Sequence, residues 1–127
     1  MTDSVTEGGL KADAEKPPVE LLDAYALEQI ALVLAFGKKK YGAHNWRKGI
    51  GFTRLIAAAM RHSMAILRGE NIDDESGLPH AAHLGCCAMF LIWTMRYRRD
   101  LDDRWVQPEE ARPEEIPPAE GRCHDLL

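Results

Sequence analysis

The sequence predicts an all-α chain, a small helical bundle of three long helices completed by oligomerisation. Three observations carry that expectation. Apolar residues recur at helical spacing in three separate stretches. Gly and Pro stand where those stretches should begin or end. The alternating patterns and hairpin turns of strands are missing.

The first helix is expected over about 24–36, where Leu27, Ile30, Ala31 and Leu34 share one face. Asp23 is its expected cap and Gly37 its expected stop, with a short turn at about 18–22 in front. The second is expected over about 53–68, capped by Thr53 and stopped by Gly69. Its apolar face reads Ile56, Ala59, Met60, Ser63, Met64 and Leu67. The third is expected over about 79–100, with Pro79 suited to a first turn. It is apolar nearly all round until Arg96, which marks it as the central helix.

A chain of 127 residues fits one domain. Residues 1–16 read as a flexible arm, 17–105 as the helical domain, and 106–127 as a Pro- and acid-rich disordered tail. About 90 residues make a thin core, and an all-apolar helix needs cover on every side, hence the expected homo-oligomer. A net charge of −4 and a pI near 5.7 speak against a general nucleic-acid binder. Adjacent Cys86 and Cys87, with Cys123 far away, make no disulfide framework and point to a reducing cytoplasm. The polar N-terminus lacks the apolar core of a signal peptide. Ser76 to Met95 is twenty residues without a fixed charge, yet Pro79, His80 and His83 suit a buried helix better than a membrane span.

Charge is segregated. No acid lies between Glu28 and Glu70, while Lys38, Lys39, Lys40, Arg47, Lys48, Arg54, Arg61 and Arg68 all do. Glu70, Asp73, Asp74 and Glu75 follow at once. A basic block beside an acidic turn suits a triphosphate and its metal, although a solvated face would read the same way. Arg54, Arg61 and Arg68 recur every seven residues along one side of a helix, with the small Ala58 and Ala65 between them. Tyr41, Asn45 and Trp46 sit among the cations in a presumed loop, where the aromatic rings could stack a base or anchor the loop.

His80 and His83 are one turn apart at the start of the third helix, so both rings can reach one point. With His62 late on the second helix and Asp74 in the short connection, they form a mixed N/O set for a divalent ion (Mn, Co, Zn, Fe or Mg). Cys87 is a weaker candidate on the same side. Glu75 is the expected general base, with Glu70 beside it.

The strings FGKKKYGAHNWRKG and RLIAAAMRHSMAILRGENIDDESGLPHAAHL resemble the N-terminal-type domain of phage dATP/dGTP diphosphohydrolases over about residues 11–95. The layout is more distantly similar to the all-α MazG-type pyrophosphohydrolases. Those hold magnesium on Glu-x-x-Glu and Glu-x-x-Asp, where this chain has His80-x-x-His83 and no Glu-x-x-Glu. The resemblance implies hydrolysis of a deoxynucleoside triphosphate to monophosphate and pyrophosphate. Lys40, Tyr41, Asn45, Trp46, Arg47, Lys48, Arg54 and Arg61 are the expected nucleotide contacts. Two rivals stand beside this reading: a non-catalytic module for a nucleotide or a nucleic-acid end, and a structural or interaction protein of phage origin.

Overall fold

A computed structural model describes Gly9 and residues 15–108. Three helices form its body: α1 (Ala24–Tyr41), α2 (Phe52–Leu67) and α3 (His80–Tyr97). Short 3-10 turns cover Val19–Leu21, Asn45–Lys48 and Arg99–Leu101, and there is no strand among the described residues. The expected arm and tail fall largely outside the described residues.

α3 is the hub, packed by α2 on one side and α1 on the other. Val33 of α1 is buried against Ala82 and Cys86 of α3, with Ile30, Leu34, Leu78 and Phe90 around them. The approach is close because Gly85 has no side chain: a Cβ there would sit 2.8 Å from the Ile30 Cδ1. α2 runs antiparallel to α3, so that Leu55 lies near Leu91 at one end and His62 meets His80 at the other.

Several boundaries differ from expectation. α1 does not stop at Gly37 but runs to Tyr41. Gly37 keeps helical geometry, and the left-handed stop is Gly42, with φ at 91°. Lys38, Lys39, Lys40 and Tyr41 are therefore helical, where a loop was expected. Their cations lie at the negative end of the helix dipole, which favours them.

α2 begins at Phe52, so Thr53 is not its cap. The cap comes instead from fifty residues away. The Asp103 carboxylate accepts the Thr53 N–H at 2.9 Å and the Thr53 hydroxyl at 2.7 Å. The residues that α2 buries are Phe52, Leu55 and Ala65. Met60, Met64 and Leu67, on the expected apolar face, are exposed. α3 ends at Tyr97 rather than near Asp100, in a cap where the Arg98 N–H reaches the Thr94 carbonyl.

No helix among the described residues is long and apolar enough to cross a membrane.

Candidate metal centre and basic groove

The connection between α2 and α3 builds the first site. Arg68 closes α2 and Gly69, at φ 92°, turns the chain. Ile72 and Pro79 form a single antiparallel bridge, and the Asp73 N–H donates to the Leu78 carbonyl at 2.8 Å. Inside this closed loop Asp73 makes an Asx turn: its Oδ1 accepts the N–H groups of Glu75 and Ser76, both at 2.9 Å. That fixes the carboxylate and leaves Oδ2 facing His80, 3.9 Å from the Nδ1.

His62 and His80 meet with their Nδ1 atoms 2.9 Å apart. His62, Asp73 and His80 thus offer three ligand atoms within 4.8 Å of one another. His83 completes the cluster from behind. Its ring stacks on His62 at 4.7 Å and meets Phe36 edge-on at 6.5 Å, while Nε2 pairs with the Ser76 hydroxyl at 2.7 Å. The Ser76 hydroxyl also accepts the Leu78 N–H, so one side chain ties the loop to a histidine.

The protonation states suit a cation. Burial, then the neighbouring His83 and His80, lower the His62 pKa, which keeps its imidazole neutral. Burial lowers His83 as well, against the pull of Asp73. Burial pushes the Asp73 carboxyl up, but donation from Ser76 and Glu75 and the nearby His83 outweigh it and hold the carboxyl below its ordinary value. The imidazoles of His62 and His80 with the Asp73 carboxylate are a donor set that could hold a borderline divalent ion.

The sequence expectation named Asp74 for this set. Asp74 is exposed, and it is its neighbour Asp73 that turns inward. Cys87 is not in the cluster; it lines the walls between α2 and α3, where burial raises its thiol pKa. Glu75 is exposed and pairs with Lys40, whose pKa rises as a result. Glu70 pairs with Arg68 at 3.0 Å.

The second site is a groove of ≈ 630 Å³ along the other half of α2. Thr53, Arg54, Ala58 and Arg61 line it from α2, with Ile50 from the preceding loop and Phe90 from α3. Ala58 does leave room between the two arginines. Ala65 does not, since it is buried in the core, and Arg68 is committed to Glu70.

The loop before α2 is pinned by aromatics. Trp46 stacks on Phe90 at 4.4 Å and meets Trp93 edge-on at 5.0 Å. The Arg47 guanidinium lies 4.4 Å over the Trp46 ring and donates to the His44 Nδ1 at 2.9 Å. Trp46 is therefore an anchor, its ring already engaged. Tyr41 is exposed at the end of α1 beneath the Lys40 ammonium, Asn45 opens the 3-10 turn half-buried, and the Lys48 carbonyl accepts Arg98 at 3.3 Å. The aromatic and loop-pinning partners Phe36, Trp93 and Asp103 gave no signal in sequence, because each acts across a long separation.

The family described as dATP/dGTP diphosphohydrolase, N-terminal, matches residues 6–104. The chain belongs to that family. A dATP/dGTP diphosphohydrolase of Salmonella phage PMBT28 is 42% identical over 96 residues, covering 76% of this chain. The match takes in 33% of that relative, so the chain spans about one third of its length. No solved structure matches the chain. Both sites lie inside the diphosphohydrolase N-terminal segment, between Lys40 and Phe90.

Proposed function

We propose that this chain is a metal-dependent deoxynucleoside triphosphate diphosphohydrolase domain, giving a monophosphate and pyrophosphate. The observation that carries the reading is the convergence of His62 on α2, Asp73 in the connection and His80 at the start of α3, next to the Arg61 that lines the basic groove. The name of the phage relative, a dATP/dGTP diphosphohydrolase, supports a purine deoxynucleotide as substrate.

In this reading Arg54 and Arg61 bind phosphate oxygens from the groove, helped by Lys40, Arg47 and Lys48. Arg54 and Arg61 are seven residues apart on α2, a rise of about 10 Å, which is the scale of an extended triphosphate. His62, Asp73 and His80 would hold the ion, and His83 with Ser76 keeps the His62 ring in place. A divalent ion there supplies charge neutralisation and makes water more acidic. Water attacks the α-phosphorus, the bond to the bridging oxygen breaks, and pyrophosphate leaves with that oxygen. Glu75 takes the water proton. Its carboxylate becomes available when a phosphate draws Lys40 away from it. The arginines stabilise the charge that develops on the phosphoryl oxygens.

A second reading has one observation in its favour. The relative carries about twice as much additional chain beyond the matched third, and turnover could belong there. This domain would then bind the nucleotide without hydrolysing it. A panel of deoxynucleoside triphosphates with Mn, Co, Zn, Fe and Mg, with products separated, decides between them. Metal-dependent release of pyrophosphate, abolished by a chelator, is the expected result. Nucleotide binding that is indifferent to chelators, with no product, would replace the hydrolase by the binding module.

A further inference from the structure

Charge is graded along α2 and the connection after it. Arg54 and Arg61 stand exposed along the groove. Arg54 is the farther of the two from the histidines, about 10 Å of helix beyond Arg61. In the other direction, past His62, the connection carries Glu70, Asp73, Asp74 and Glu75. The end of α1 touches that acidic turn. Its Lys40 pairs with Glu75, and the Lys40 ammonium stands 5.3 Å from the centre of the Tyr41 ring. Tyr41 is 61% exposed. Other rings are engaged or distant. Phe36 is half-buried edge-on to His83, and Tyr25 lies at the opposite end of α1. Trp46, Trp93 and Tyr97 gather at the far end of α3, where Trp93 is thirteen residues beyond His80, a rise of ~20 Å.

We propose that a deoxynucleoside triphosphate binds with one polarity: its β- and γ-phosphates run from the metal centre toward Arg54, and its base leaves on the opposite side to stack on Tyr41. This rests on the metal-centre and groove reading given above. Cleavage at the α-phosphorus places that atom at His62, Asp73 and His80, so the two halves of the substrate lead away from the centre in different directions. Charge decides which half goes where. The diphosphate half is neutralised beside Arg61 and Arg54. Along Glu70, Asp74 and Glu75 it would meet like charges at close range, which is costly. The nucleoside half is uncharged and tolerates the acidic side. A base also needs a π-face, and Tyr41 exposes one there, whereas Trp46 at the other end is already stacked on Phe90. Lys40 links the two events. Its ammonium covers the Tyr41 ring as well as the Glu75 carboxylate, so a phosphate that draws it away uncovers the platform and frees Glu75 together.

Titration calorimetry of the full chain with Mn present tests the proposal by reading the two halves of the substrate separately, as dAMP and as pyrophosphate. Tyr41→Ala is expected to weaken dAMP binding by ~5–150-fold, the loss of one base–aromatic stack, and to leave pyrophosphate unchanged. Tyr41→Phe is expected to bind dAMP as the wild type does. Arg54→Ala is expected to weaken pyrophosphate binding by ~10–150-fold and to leave dAMP unchanged. Both positions are exposed, and circular dichroism checks that each variant folds. The opposite split, with dAMP lost in Arg54→Ala and pyrophosphate lost in Tyr41→Ala, overturns the polarity and leaves the groove reading intact. Undiminished dAMP binding in Tyr41→Ala overturns it as well. A wild-type chain that binds neither half removes the groove and metal reading itself, and the polarity with it.

Discussion

The two ends of α2 are built on different principles. At its C-terminal end the twelve-residue connection 68–79 folds onto itself through backbone bonds, and every histidine there has a ring or polar partner. At its N-terminal end the loop is pinned by Trp46 on Phe90, while the surrounding cations reach outward around a groove. The first arrangement holds its polar atoms through backbone bonds and ring contacts, the kind of support a metal site needs. The second fixes only the loop and leaves long charged side chains to adapt to a ligand. A pre-set centre beside an adaptable cationic groove is a workable division of labour for holding an ion and a polyphosphate together.

The largest expected effect lies at the pre-set end. His80→Ala should weaken Mn or Zn binding by more than ~100-fold, since removing even a supporting partner of a ligand costs ~10–100-fold. Asp73→Asn should do likewise, because the amide oxygen can keep the Asx turn while the charge is lost. Asp74→Ala should change metal affinity little. Titration calorimetry on the three variants is the check. Loss of binding in Asp74→Ala with retention in Asp73→Asn would move the site one residue along the chain and undo the geometry described here.

Two substitutions probe the other end. Trp46→Ala should destabilise the fold by about 2–3 kcal/mol in urea unfolding, below the ~3–5 kcal/mol of a fully buried aromatic, because Trp46 is half-buried. Arg54→Ala should alter stability by no more than ~0.5 kcal/mol. It should nevertheless weaken nucleotide binding by ~10–150-fold, the equivalent of one charge-assisted contact of ~1.5–3 kcal/mol. If Trp46→Ala left stability intact but abolished binding, Trp46 would be a base-stacking platform and the contrast between the two ends would fail.

How much of this was legible in the sequence follows from the range of each interaction. The three helices are local patterns, and they read directly from the spacing of residues such as Leu27, Ile30 and Leu34. The meeting of His62 with His80 and His83 also follows locally, from a short connection between antiparallel helices. The choice of Asp73 over Asp74 does not. It rests on an Asx turn whose only trace is the placement of Glu75 and Ser76 two and three residues on. The cap of α2 was beyond reach, since Asp103 is fifty residues from Thr53. Trp46 offered two equal roles until Phe90 and Trp93 were found beneath it. Gly37 was the expected stop of α1, and only the backbone shows that the helix runs through it to Gly42.

That last ambiguity gives the smallest and sharpest prediction. Gly37 lies within α1, in helical geometry, and an added Cβ meets nothing within 4 Å. Gly37→Ala should therefore stabilise the chain by ~0.5–1 kcal/mol, because glycine in a helix interior carries that much excess entropy cost relative to alanine. Gly42 also has open space around it, but its φ is +91°. Gly42→Ala should destabilise by ~1–2 kcal/mol, the strain of placing an L side chain in left-handed backbone. The two changes are chemically identical and five residues apart, so thermal melts of the pair isolate backbone conformation from composition. The result bears on the comparison of the two ends, because the helical stretch from Gly37 to Tyr41 is what carries Lys40 across to Glu75 and joins the basic block to the histidine loop. A fall in melting temperature for Gly37→Ala would mean that α1 stops at Gly37 in solution. Lys40 would then sit in a loop, free of Glu75, and the two ends of α2 would not be coupled through α1.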